Sequence, residues 1–265
     1  FTFRLHPIAG QVLSVDLFYE LEHGVQVLQG WREFVAQAPR QATPTAWTGT
    51  AGEWPFLAEE LHGQQLVNAG FIWVGDPEEG RRAIAPLREF APVLAEVVDE
   101  STYLALQSGS DEAMRHGLRR YWKDHYFRAL SDAAIEAFLG RGGESDDGAP
   151  LPNGSLQAYG GAIGDVAFDD SAFSHRDALV EFVTMAGWED PAEDARRMGA
   201  SRRYAAAMQP HASGAYVNGL ADEGAAGIGQ AYRVETLTRL TAIKDRYDPD
   251  NVFHLNHNVR PSSAS

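Results

Sequence analysis

The stretch "QLVNAGFIWVGDPEEG", residues 65–80, decides the fold class. Its first part, through Gly75, is a β-rich run bounded by glycine, and Asp76–Pro77 then opens a helix that should reach about residue 90. Just upstream, "PTAWTGTAG" (44–52) is a second β-rich run, so two strands precede one covering helix. The same order occurs before it. "QVLSVDLFYE" (11–20) reads as a strand, and residues 22–38 place Val25, Leu28, Trp31, Phe34 and Val35 at three- and four-residue spacings, the pattern of an amphipathic helix. Strands in pairs with helices between them imply an α+β fold, a largely antiparallel sheet covered on one face by helices.

Further along, residues 110–139 read as helical with a break near Ser131, which is placed as an N-cap with Asp132 in the next turn. "GRGGESDDGAPLPNGS" (140–155) is too polar and too rich in glycine for a core element, and loops of this length are more often functional than idle. "SLQAYGGAIGDVAF" (155–168) and "ALVEFVTMAGW" (178–188) are strand-like, and a helix at about 191–208 has Asp190, Pro191 and Glu193 as its start signals. "GAYVNGL" (214–220) reads as a short strand. "GQAYRVETLTRLTAIKDRY" (229–247) reads as a helix with Val234, Leu237, Leu240, Ile243 and Tyr247 on one face, ended by Asp248–Pro249. At the other end, the alternation of Phe1, Phe3 and Leu5 in "FTFRLHP" looks like a strand entered midway, as expected of a piece of a longer protein.

Composition narrows the function. The 265 residues are 44% hydrophobic and 11% aromatic, as in a globular chain with a sizeable core. With 22 basic against 37 acidic residues the formal charge is −15, which repels phosphate backbones and anionic membrane surfaces, so neither nucleic acid nor membrane is expected as a partner. Only Lys123 and Lys244 are lysines, a skew toward arginine that reads as GC-rich coding, expected of a bacterium. The absence of cysteine excludes disulfides, thiolate metal sites and a cysteine nucleophile in this stretch. No signal segment is visible, which leaves cytoplasmic and secreted locations both open.

Site motifs of common classes are missing. There is no G-x-S-x-G elbow, and "GGAIGDV" (160–166) lacks the strand-turn-helix order and spacing of a dinucleotide cradle. His254 and His257 have no third ligand nearby, so no metal site is expected. What stands out is Tyr159 in "AYGGA" and Tyr216 with Asn218 in "AYVNG", aromatic and polar residues beside glycines, where something can approach the backbone closely. A ligand site and a hydrogen-bonded core tyrosine are both open readings of this pattern.

In order along the chain, "FTFRLHPI" (1–8), "YWKDHYFRALSD" (121–132), "YGGAIGDV" (159–166), "AFSHR" (172–176), "AYVNG" (215–219) and "RLTAIKDRYDPDNVFHLNHNV" (239–259) resemble the FAD-linked oxidases of the berberine bridge enzyme type. The last stretch carries the resemblance best, since the helix, the Tyr-Asp-Pro-x-Asn turn and the Asn-x-Asn tail occur together.

The resemblance implies that residues 1–10 end an FAD-binding domain, that 11–229 form a substrate-binding domain, and that 230–265 are a C-terminal helix and tail returning to the flavin. It implies FAD as cofactor, a hydroxyl-bearing small molecule such as a sugar or glycosylated natural product as substrate, and an N-terminal FAD-binding domain or fragment as partner. Asn256 and Asn258 are expected at the polar edge of the flavin ring, with His257 pointing the other way along an extended tail. Tyr216 and Asn218 are expected near the cofactor.

Many members end a Tyr-x-Asn-Tyr strand in the catalytic phenol, and here that position is Gly219. Tyr159 is then the remaining candidate acid/base. Alternatively, Gly219 opens room for a bulkier substrate, or the chain has lost oxidase activity and binds the same ligand without oxidising it. For His175 and Arg176 a structural role at a strand entry is expected. The aromatics of "YWKDHYF" (121–127) are expected in the core.

Overall fold

The computed structural model describes residues 1–8, 10–112, 114–144, 148–221 and 223–263. Seven strands form one antiparallel sheet: β1 (Val12–Glu20), β2 (Ala42–Thr50), β3 (Gln65–Val74), β4 (Ala95–Ser101), β5 (Arg119–Phe127), β6 (Asn153–Ala158) and β7 (Val180–Trp188). Their spatial order is β4-β1-β3-β2-β6-β7-β5. The helices are α1 (Gly24–Gln37), α2 (Pro77–Ala83), α3 (Tyr103–Ser108), α4 (Asp132–Gly140), α5 (Asp194–Met208), α6 (Gly224–Ala231) and α7 (Val234–Tyr247). The α+β architecture expected from the strand pairs is the one observed.

Strand alternation sorts the sheet into two unlike faces. Leu13, Val15 and Leu17 of β1, Val67, Ala69 and Phe71 of β3, Leu156 of β6 and Phe182 of β7 are buried together with Val27, Leu28 and Trp31 of α1, Ile135 and Phe138 of α4, and Tyr204 and Met208 of α5. This apolar layer is the main core. Phe182 is at its centre, with its ring within 6.5 Å of the centroids of Phe127, Phe138, Tyr204 and His125. On the opposite face, which carries none of these three helices, the sheet presents Asp16, Asn68, Thr45, Gln157, Glu181, Asp124 and Tyr126.

Local signals account for several boundaries. Asp76 caps α2 by accepting the Glu78 N–H at 2.8 Å, and Ser131 caps α4 by accepting the Ala134 N–H at 3.1 Å. Asp190 accepts the Ala192 N–H at 2.9 Å before a short 3-10 turn leads into α5. After α4, Arg141 takes the left-handed conformation and is fully buried. Its guanidinium donates to the Pro152 and Leu151 carbonyls at 2.8 and 2.6 Å, which fastens both ends of the polar loop. Ser145–Asp147 of that loop lie outside the described residues.

The structure departs from the sequence reading at five places. "YWKDHYF" is a strand, β5, and not part of a helix: Tyr121, Lys123, Asp124, His125, Tyr126 and Phe127 are all buried, so no polar alternation marks it. Residues 1–8 pair with no strand, and Phe1, Phe3 and Leu5 are exposed; alternation supplies a face to bury but not a neighbouring edge. β6 stops at Ala158, and the chain turns away at Gly161, whose φ is +55°. "GAYVNGL" forms a 3-10 turn at Val217–Gly219 and meets β5 through an isolated bridge, Tyr126 to Gly214, not as a strand of the sheet. The C-terminal helix is two, α6 and α7, parted at Tyr232–Arg233. β4 and α3 have no counterpart in the sequence reading.

Candidate functional site

β5, β7 and the residue after β6 bring four titratable side chains, Asp124, Tyr126, Glu181 and Tyr159, together on the helix-free face, the one without α1, α4 and α5. Tyr126 pairs across the ladder with Glu181, Glu181 with Gln157 of β6, and Gln157 with Thr45 of β2, so one row crosses four strands. Tyr159, just past β6, donates its hydroxyl hydrogen to Glu181 Oε2 at 2.9 Å. Its oxygen lies 3.3 Å from the Tyr126 hydroxyl, and because the Tyr159 hydrogen is committed to Glu181, Tyr126 is the donor in that contact. The order of donation is therefore Tyr126 to Tyr159 to Glu181. The rings of Tyr126 and Tyr159 meet edge to face at 5.2 Å, and Phe173 stacks on Tyr159 at 6.4 Å.

Asp124 is one alternation step along β5 from Tyr126. It accepts the Tyr216 backbone N–H at 2.7 Å and is almost fully buried, which pushes its carboxyl up to about 7. Burial also raises the Glu181 carboxyl and both phenols, Tyr126 and Tyr159. A phenol held neutral in this way is a poor free base. It is a good relay, since it can take a proton on oxygen while passing its own to Glu181.

Gly219 packs on Asp124. A Cβ at position 219 would sit 1.3 Å from Asp124 Oδ2, so any side chain there would displace the carboxylate. The expectation that Gly219 opens room for substrate is corrected on this ground, because the space is filled by Asp124. Tyr216 and Asn218 do not act through strand alternation either; Asn218 Nδ2 donates to the Tyr216 hydroxyl at 2.7 Å across the 3-10 turn. Both line an aromatic hollow of about 250 Å³ with Tyr126, Phe173, His175 and Tyr232.

His175 and Arg176 hold backbone, as expected of a strand entry. His175 Nε2 donates to the Gln230 and Ala231 carbonyls at 3.0 and 3.1 Å, and its ring stacks on Tyr126 at 4.9 Å. Arg176 donates to the Ile163 carbonyl at 3.0 Å. His254 and His257 face different carbonyls. His254 Nδ1 is within 3.2 Å of Asn251 O and 3.0 Å of Val252 O, whereas His257 Nε2 donates to Leu220 O at 3.0 Å.

The tail is turned, not extended. Asn256 has φ +58° and its carbonyl accepts the Asn258 N–H at 3.1 Å, so the alternation argument for 256–258 gives way to a tight turn, a conformation asparagine tolerates. Asn256, His257 and Asn258 still line one cleft of about 400 Å³, with Thr241 and Leu237 of α7. Asn258 Oδ1 is buried there without a hydrogen-bond partner. An amide acceptor lacking a donor fits a ring edge that offers an N–H between carbonyl oxygens, the pattern of the flavin pyrimidine. Tyr159 is not in contact with the tail. The two are joined through His257 on Leu220, Gly219 on Asp124, and the shared β5 strand.

Asp124, Tyr126 and Glu181 were not picked out by the sequence reading. Reading 119–127 as a strand would have placed Asp124 and Tyr126 on one face, and Glu181 is the only charged residue in "ALVEFVTMAGW".

Residues 215–260 match the family described as "Berberine and berberine like". The chain carries the C-terminal segment and the fold of the berberine bridge enzyme type. Two Bacillus subtilis proteins described as uncharacterized FAD-linked oxidoreductases, YvdP and YgaK, are similar in sequence. YvdP is 34% identical over 104 residues, which is 39% of this chain and 23% of the relative, and YgaK is 33% identical over 119 residues, 44% and 26%. The berberine-type fold recurs in solved structures. BBE-like 1 of Physcomitrella patens aligns with a TM-score of 0.77 at 18% identity, covering 97% of this chain and 55% of that one. A chitooligosaccharide oxidase aligns at 0.73 and 17%, covering 96% and 56%. A glycopeptide hexose oxidase complexed with teicoplanin aligns at 0.76 and 21%, with the same coverage. At these identities the structures establish fold, and the chain spans little more than half the length of each. Among the described residues no helix is long and apolar enough to cross a membrane.

Proposed function

We propose that this chain is the substrate-binding and C-terminal portion of an FAD-dependent oxidase. In this reading it removes hydride from a hydroxyl-bearing carbon of a sugar or glycosylated small molecule, with oxygen as the final acceptor. The observation that carries the reading is the donor chain Tyr126 to Tyr159 to Glu181 on the helix-free face, in a chain whose tail matches the berberine-like family. FAD, when bound, supplies the hydride acceptor.

The protein's own residues manage the proton. The substrate hydroxyl gives its proton to the Tyr159 oxygen while Tyr159 passes its hydrogen to ionised Glu181, so no phenolate has to form. Asp124 holds the backbone at Tyr216 and keeps the 216–219 turn against β5. Asn256, Asn258, Tyr216 and Asn218 are the residues offered to the cofactor, and Asn258 has the free acceptor. The exposed apolar side chains of Ile243 and Tyr247 on α7 and of Val252, Phe253 and Leu255 in the tail support an N-terminal FAD-binding domain or fragment as partner.

Anaerobic addition of substrate to the FAD-bound protein tests the reading through bleaching of the flavin. Tyr159→Phe should slow bleaching at least ~10-fold, the lower end for a positioned acid/base. A wild-type rate in Tyr159→Phe removes Tyr159 from the mechanism. The second reading, a redox-silent relative that binds without oxidising, is favoured by one observation, that position 219 has no space for a phenol. Measurable binding with unchanged flavin absorbance would support it.

A further inference from the structure

β5 is the outermost strand at its end of the sheet, and a hollow of about 350 Å³ opens beside it. Gln209, just past α5, and Gln230, in the last turn of α6, line it together with His125 and Arg128 from β5 and its end, His175, and Arg233 before α7. Its surface is more polar than apolar. Among the described residues no aspartate or glutamate lines it, in a chain whose formal charge is −15. Neither Tyr159 nor Glu181 lines it either, so it is separate from the candidate site, with His175 as a wall common to it and the aromatic hollow.

The hollow carries a surplus cation. Arg128 Nε and Arg233 Nη2 meet the same oxygen, Asp177 Oδ2, at 2.6 and 2.9 Å, so two guanidinium groups share one carboxylate. Arg233 is committed further, 3.8 Å over the Phe168 ring. Arg128 is exposed, and its two Nη groups have no partner among the described residues. That end of the fork is the one that grips a carboxylate through two parallel hydrogen bonds.

His125 makes the opposite demand. It is 8% exposed, its Nε2 donates to the Ala205 carbonyl at 3.0 Å, and burial lowers its pKa, so the ring is neutral at pH 7 and Nδ1 is an acceptor. Nδ1 has no donor among the described residues, and the side-chain amides of Gln209 and Gln230 are likewise unpartnered there.

We propose that this hollow binds a small hydroxylated carboxylate, a sugar acid or similar hydroxy acid, with its carboxylate on Arg128 and its hydroxyls on His125 and the two glutamines. The volume is within the range of small-molecule sites. A neutral sugar would leave the surplus charge unmatched, and a simple carboxylate would leave His125 and the amides unmatched. A phosphate monoester, at about −1.5 to −2, would exceed the single positive charge on offer. The site does not depend on the oxidase reading.

The test is calorimetric titration of the full chain with gluconate, compared with methyl glucoside, acetate and glucose 6-phosphate. Saturable binding of gluconate is expected, with each of the other three at least ~10-fold weaker. Arg128→Gln should weaken gluconate at least ~10-fold and leave the melting temperature unchanged, because the pair it breaks is exposed. If Arg128→Gln folds poorly, Gln209→Glu, which puts an anion into the hollow, replaces it with the same expected loss. Tyr159→Phe should bind gluconate as the wild type does. Absent saturation, equal affinity for any of the three comparison ligands, full affinity in a well-folded hollow variant, or lost affinity in Tyr159→Phe each overturns the proposal.

Discussion

The two faces of the sheet are built from the same strands and use burial in opposite ways. The covered face buries groups that lose nothing on leaving water, such as Phe182 and Leu156, and is held by packing. The helix-free face buries Asp124 and half-buries Asp16, Glu181 and Tyr159, groups whose charged forms are disfavoured there. One face lowers the free energy of the fold, and the other gives some of that back by burying carboxyls and phenols whose charged forms it disfavours. A region that forgoes stability in this way is where chemistry is to be sought.

The largest effect should come from the covered face. Phe182→Ala removes a fully buried ring from the centre of the aromatic cluster and should reduce stability by roughly 3–5 kcal/mol, read from the urea midpoint. A loss below ~1 kcal/mol would mean that this face is not the main core.

Asp124→Asn sharpens the contrast because its sign is reversed. Burial pushes the folded carboxyl up to about 7 from its ordinary 3.8, so the native state holds a proton that the unfolded chain releases between those values. Stability due to this group therefore falls as pH rises from about 4 to about 7 and is flat beyond, by roughly 4 kcal/mol in all. Asn keeps an acceptor for the Tyr216 N–H, so the variant should be more stable than wild type at about pH 8 and nearly equal to it at about pH 3. Equal melting temperatures at both pH values would refute the buried-carboxylate reading.

Much of the fold was legible because its signals are local. Asp76, Ser131 and Asp190 announce helix starts through side-chain hydrogen bonds to nearby backbone, and each does so in the structure. β5 was illegible for a tertiary reason. Its charged residues are buried on both faces, Lys123 by pairing with Glu223, 100 positions away, and Asp124 by the Tyr216 N–H, 92 positions away. Single-sequence periodicity cannot anticipate such partners. Misreading β5 hid Asp124 and Tyr126, half of the candidate site. Tyr159 was reachable because glycines flank it, whereas its acceptor Glu181 is defined only once β6 and β7 are paired.

Smaller effects test the edges of the comparison. Ser131→Ala should reduce stability by about 1 kcal/mol through loss of the α4 cap, measured by chemical denaturation, and no change would show that the Ala134 N–H finds another acceptor. Arg40→Ala removes an exposed ion pair and should leave the melting temperature unchanged. A clear drop would make that bridge a structural brace.

Residues 216–220 are gripped from two sides, by Asp124 at Tyr216 and Gly219 and by His257 at Leu220. A ligand in the tail cleft and a ligand over the helix-free face would therefore press on the same five residues. Whatever coupling free energy that contact carries is reciprocal, so each ligand must alter the other's affinity by the same factor, with the short turn as the joint through which they negotiate.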